Sequence, residues 1–197
     1  MDFRQLTVNE LLALGVDATQ ELRRRGIVRT ANNPIGDFAE YLFCRAFSWK
    51  LADNSQKDAD AIGPGGVRYQ VKARRLAGNL GDRQLGALRN LPNQRFDKLA
   101  AVLFDTRFGV ARAAIIPHAL VVANAVHQTH TNSWRFILRD EVWSWRGVED
   151  VTMPLRGVLQ SDLTSDLQRD LNKPAPAKHR QSWLSRLVKF GRAPDRE

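Results

Sequence analysis

Residues 54–75 read NSQKDADAIGPGGVRYQVKARR, and they gather side chains of complementary chemistry at short spacing. Two acids, Asp58 and Asp60, precede the glycine-rich stretch Gly63-Pro64-Gly65-Gly66, and Gln70 and Lys72 follow it. The runs on either side, Ala59 to Ile62 and Val67 to Val71, alternate apolar and polar residues, which together with the turn spells a β-hairpin. Side chains two apart on a strand share a face, so Gln70 and Lys72 project together, and the hairpin brings them beside Asp60. An acid, an amide oxygen and an amine then converge on one spot, acceptor oxygens beside a cationic donor. The same four residues also fit the polar face of a half-exposed hairpin.

The elements around this stretch decide whether it has a partner. Asn33-Pro34 is a helix start, a capping side chain followed by a residue suited to the first helical position. The helix it opens, IGDFAEYLFCRAF, carries an apolar stripe of Ile35, Phe38, Ala39, Leu42 and Ala46. Glu40 lies at the flank of that stripe, with Gly36 one turn before it, so it is either an ordinary border residue or a carboxylate that reaches inward toward a site. Upstream, Thr7 and Glu10 match a capping box, and Leu11, Leu12, Leu14, Ala18 and Leu22 recur with helical spacing to about Arg25.

Downstream, residues 77–96 read as a long basic connection, either lying along a nucleic-acid backbone or solvated with a short helix around Leu85 to Leu88. Between Gly66 and Arg95 seven Lys or Arg residues, among them Arg68, Arg74 and Arg75, face the single acid Asp82. LAAVLF, Leu99 to Phe104, is a strand covered on both faces, and Val110 to Ile116 is its partner. Pro117 opens a helix to about Val126, and Trp134 to Leu138 is a fifth strand, with Trp134, Trp143 and Trp145 closing the edge of the core. His118, His127 and His130 lack metal-ligand spacing and read as structural or surface residues. Gln160 to Leu171 reads as a polar helix.

The 197 residues suffice for one domain plus appendages, here residues 1–156, the polar helix 157–172 and a tail, 173–197. That tail is a basic amphipathic segment with Trp183, Leu184, Leu187 and Val188 on one side, suited to a membrane, a nucleic acid or a protein partner. The formal net charge of +9 points to a polyanionic partner. A single cysteine, Cys44, rules out an internal disulfide, and neither a leader nor a long apolar span is present, so no integral membrane segment and a cytoplasmic location are expected.

In this order, a helix acid, a strand acid and a strand Gln-x-Lys, the chain resembles the restriction-endonuclease-like PD-(D/E)xK nuclease superfamily. The matching motifs are GDFAE with Glu40, DADA with Asp60 and YQVK with Gln70 and Lys72, and NNPIGDFAEYL, QKDADAI and RYQVKARR look like a group of uncharacterised bacterial proteins of that superfamily. The likeness spans roughly residues 20–156. It implies an α/β fold with a mixed central sheet of about four to five strands flanked by helices. It also implies a metal-dependent endonuclease acting on DNA, of restriction, repair or junction-resolving type. Glu40, Asp60 and Gln70 would hold Mg2+ or Mn2+, with the Val71 carbonyl adding to the shell, and Lys72 would assist the attacking water. Arg68, Arg74 and Arg75 would meet the nucleic acid, and two copies can pair to cut two strands. The chain departs from the family at two places: Ala59 stands where Pro usually precedes the acid, leaving Asp58 as a competitor of Asp60, and position 70 is Gln rather than an acid. The alternative is a nuclease-fold module that has lost chemistry and binds nucleic acid or a partner.

Overall fold

The apolar run at Lys98–Phe104 forms the centre of the molecule, flanked on both sides by strands and on both faces by packed side chains. A computed structural model describes residues 2–52, 59–77 and 82–171. The chain falls into two units, Met1–Gln160 and Ser161–Glu197; of the second, residues 161–171 lie in the last helix. Asp58 and the basic tail fall outside the described residues.

Helix α1 (Val8–Arg24) opens on the expected capping box, with Thr7 Oγ1 accepting from the Glu10 N–H and Glu10 accepting from the Thr7 N–H. Helix α2 (Ile35–Phe47) follows a loop and buries Ala39, Leu42 and Phe43. Its start is as the sequence indicates, since Asn33 Oδ1 accepts from the Ile35 N–H at 3.2 Å. Strands β1 (Lys50–Leu51), β2 (Ala61–Ile62) and β3 (Arg68–Arg75) make an antiparallel meander. Close packing as well as turn conformation dictates the glycines between β2 and β3. Gly65 and Gly66 have φ of +69° and +77°, and a Cβ at Gly63 would lie 2.7 Å from the Tyr69 ring.

Strand β4 (Lys98–Phe104) runs parallel to β3, and β5 (Val110–Pro117) returns antiparallel to β4. Then come α3 (His118–Asn124), a separate ribbon of β6 (Val126–Gln128) and β7 (Ser133–Arg135), β8 (Glu149–Asp150) and α4 (Thr152–Leu171). The result is a mixed α/β fold whose six-stranded sheet has the order β1-β2-β3-β4-β5-β8. Alternation along β4 divides the core into two layers. Ala100, Val102 and Phe104 face α2 and the start of α4, while Leu99, Ala101 and Leu103 face Phe96, Val121, Phe136 and Leu138.

Several expectations are corrected. The sheet has six strands rather than four or five, because β1 and β8, each two residues long, extend both edges. Trp134 to Leu138 does not join this sheet: only Ser133–Arg135 is a strand, paired with β6. No helix forms around Leu85 to Leu88; Gln84 and Leu88 make isolated antiparallel bridges to Ile137 and Trp134, and Leu85, Leu88 and Leu91 are each 1% exposed. The connection is therefore neither wholly solvated nor spread along a surface, since its leucines complete the second core layer and offset the cost of ordering a long loop. His118 pins it, its ring at 2.8 Å from the Leu91 carbonyl oxygen. Helix α3 ends at Asn124, and the helix expected from Gln160 already begins at Thr152. The three tryptophans are partly buried against the second layer, as the sequence suggests.

Candidate active site

The candidate site lies where β2 parts from β3. Pairing between the two strands stops at Ala61 and Tyr69, and Asp60 follows directly, its own N–H still bonded to the Tyr69 carbonyl at 2.9 Å. One carboxylate oxygen, Asp60 Oδ2, then takes over the edge of β3, accepting from the Val71 N–H at 2.7 Å and from Gln70 Nε2. A carboxylate only accepts, so this contact fixes the Gln70 amide with its nitrogen toward Asp60 and leaves Oε1 for another partner. Among the described residues neither Asp60 Oδ1 nor Gln70 Oε1 has a hydrogen bond. Within a strand, N–H and C=O of one residue point the same way, so the Val71 carbonyl also faces the Asp60 edge.

Gln70 and Lys72 share a face of β3 and lie in register with Leu99 and Ala101 of β4. Lys72 is half-buried, and its ammonium makes no hydrogen bond or ion pair among the described residues. The corrected course of residues 82–96 brings the loop beside it: a Cβ at Gly86 would lie 3.7 Å from Lys72 Cδ. The loop thus shields the stem of Lys72.

Glu40 approaches from α2. Its side chain is 14% exposed, and Arg29, from the loop between α1 and α2, donates to its Oε2. Burial, and next the negative charge of Asp60, push the Glu40 carboxyl up to about 7, against the opposing pull of Arg29. A carboxyl held up by burial and by a neighbouring negative charge stands in a place where a cation would be favoured. The neighbouring Asp37 behaves differently. Burial pushes it up, but the Thr30 and Arg29 N–H groups at 2.7 and 2.8 Å outweigh this and hold it below the usual range. Asp37 thereby fixes the loop that carries Arg29.

The three arginines expected at a nucleic-acid surface have protein partners. Arg68 forks onto Asp97 at 2.9 Å and also donates to the Gln94 carbonyl. Arg74 pairs with Asp82, and Arg75 lies over the Phe108 ring, 5.3 Å from its centroid. The structure therefore bonds Asp60 to Gln70, sets Lys72 two positions along the same strand face, holds Glu40 of α2 within electrostatic reach of Asp60, and places Arg68, Arg74 and Arg75 on that strand in existing contacts. Among the described residues no group of three His, Cys, Asp or Glu side chains forms. What the structure offers instead is one carboxylate bonded to one amide, with a second carboxylate, Glu40, in electrostatic reach. Arg29 was missed by sequence reasoning, because a lone arginine in a polar loop carries no spacing signal. No protein-family model matches the chain, and no curated protein does.

Proposed function

We propose that the protein is a metal-dependent endonuclease with a restriction-endonuclease-like core that hydrolyses phosphodiester bonds of DNA. The observation that supports the reading is the bonding of Gln70 to Asp60 at the parting of β2 and β3, with Glu40 in electrostatic reach of Asp60 and Lys72, on the same strand, without a partner among the described residues. The donor set fits Mg2+ or Mn2+: hard oxygen ligands, with two acids whose mutual repulsion a cation relieves. Glu40, Asp60 Oδ1, Gln70 Oε1 and the Val71 carbonyl would hold the ion. When bound, it supplies neutralisation of the charge on the phosphoryl oxygens. Lys72 donates from Nζ to the attacking water and offsets charge developing at the phosphorus. Asp60, locked by two hydrogen bonds, keeps its free oxygen aimed, so little reorganisation is needed at the moment of reaction. Arg75, held among the described residues by an aromatic face and a long contact of 3.4 Å to the Thr106 carbonyl, is the arginine of the three most readily turned to a backbone phosphate.

The test is incubation of the purified chain with Mg2+ or Mn2+ and supercoiled, linear and branched DNA, with RNA alongside. Metal-dependent nicking or cutting of DNA is expected, and Lys72→Ala should slow it by about a hundredfold while DNA affinity in a gel-shift assay stays within a few-fold. A second reading, a nuclease-fold module that binds without cutting, is favoured by the Arg29–Glu40 ion pair, which neutralises the helix carboxylate without a metal ion. Intact substrates under every condition, with Lys72→Ala indistinguishable from the parent, would decide for it.

A further inference from the structure

Helix α1 is physically out of keeping with the rest of the molecule. It is 17 residues long, about 25 Å by the usual helical rise, and none of its residues is buried. Val8, Leu12, Val16 and Leu11 are 72, 66, 54 and 42% exposed, and Phe3 just before the helix is 61% exposed. Helices in proteins draw most of their stability from burying an apolar face rather than from propensity alone. Among the described residues nothing covers this apolar stripe, and an exposed apolar face of this length marks a contact surface.

We infer that α1 pairs with α1 of a second copy of this chain, antiparallel, about a two-fold axis at Gly15. The sequence of the stripe is self-complementary in that arrangement. At 3.6 residues per turn Val8, Leu11, Leu12, Gly15, Ala18, Thr19 and Leu22 share one side, and the acids Glu10, Asp17 and Glu21 share the other. Setting Gly15 against Gly15 places Val8 opposite Leu22, Leu11 opposite Thr19 and Leu12 opposite Ala18 of the second copy. Each leucine at the centre then meets a small residue, whereas a parallel pair sets leucine on leucine at one end and leaves the small residues facing a gap. The space at Gly15 is open, with no heavy atom within 4 Å of a Cβ built there, so the two backbones can approach closely. Antiparallel alignment also sets the two helix dipoles favourably.

One helix pair supplies contact at the low end of what specific interfaces bury, roughly 1,200 Å² in total, so the dimer should dissociate in the micromolar range. The net charge of +9 on each copy opposes association, and screening it should tighten the dimer. A nucleic-acid or anionic-membrane contact behaves the opposite way, weakening with salt.

Sedimentation equilibrium of the full chain over the micromolar range, at low and high salt, tests the pairing. A concentration-dependent dimer that strengthens with salt is expected. Leu12→Glu should leave a monomer, and so should Gly15→Leu, although the latter raises helix propensity and would strengthen an unpaired helix. Direct proof of register comes from cross-linking in a Cys44→Ala background, which removes the only native thiol. Under mild oxidant Gly15→Cys should form a covalent dimer at least tenfold faster than Ala13→Cys, which lies off the stripe. A chain that stays monomeric at all concentrations, with the two cysteine variants cross-linking equally, overturns the proposal. So does a monomer that sediments with anionic vesicles through α1 and loses that binding on Leu12→Glu.

Discussion

Asp60→Asn is expected to lower metal-dependent DNA cleavage by about a thousandfold or more, with the fold intact. The substitution keeps the shape of the side chain, and an amide oxygen at position 60 still accepts the Val71 N–H that Asp60 Oδ2 now accepts at 2.7 Å. What it removes is one of the two negative charges at the site and the one acid fixed by the strand edge. The remaining oxygens, those of a largely buried Glu40 and the neutral groups of Gln70 and Val71, would hold a divalent cation weakly because a single charge must balance two. Thermal unfolding within a few degrees of the parent would show that the loss is chemical. A second readout separates this from a general structural effect: with the Asp60 charge gone, the Glu40 carboxyl should titrate closer to its ordinary value, since that charge is, after burial, the largest upward influence on it. Full cleavage by Asp60→Asn would end the assignment of Asp60 as the metal-holding acid and would turn attention to Asp58.

Some of this architecture is legible because local chemistry and tertiary fate agree. Leu99 to Phe104 is apolar on both faces, and both faces are covered. Thr7 with Glu10 and Asn33 with Pro34 cap helices that form. The glycines at 63, 65 and 66 encode a turn whose register sets Asp60 opposite Gln70, so the hairpin part of the site is readable from spacing alone. Other parts are set by tertiary pairing. Lys50–Leu51 and Glu149–Asp150 are strands only because a neighbour offers an edge, and two residues carry no periodicity. Leu85, Leu88 and Leu91 recur every three residues, which reads as a helix turn, yet they are extended or in a short 3-10 turn and point to one core because the loop pairs with Trp134 and Ile137. The Arg29–Glu40 contact joins a loop residue to one in α2 eleven positions on and has no sequence signature. For the same reason the arginines of β3 read as free cations, whereas Arg68 and Arg74 answer Asp97 and Asp82.

Glu40 ties the site to the stability of the protein, and the expected result is a metal-free chain that becomes less stable as pH rises. In the unfolded chain this carboxyl has its ordinary value of 4.5, and in the folded chain it stands at about 7. The folded state therefore binds the proton more tightly. Its advantage is complete below 4.5, declines as pH rises through the window between the two values, and is gone above about 7. After allowance for solvent screening the loss is on the order of 2 kcal/mol, or about 4–8 °C in Tm for a chain of this size. Glu40→Gln should flatten the profile across that window. Arg29→Ala should extend the fall to higher pH, because Arg29 pulls the carboxyl down. Mg2+ should oppose the fall, since it binds the ionised carboxylate of the folded chain and stabilises in proportion to its saturation. The same Glu40→Gln change removes a metal-binding charge and should cost about a hundredfold or more in cleavage at limiting Mg2+. Thermal melts between pH 4.5 and 8, with chelator or with Mg2+, read the linkage without reference to activity. A flat profile for the parent chain, or a Tm unmoved by Mg2+ at any pH, would mean that Glu40 and Asp60 do not share a cation site, and the Arg29 ion pair would then be the resting and final state of that carboxylate.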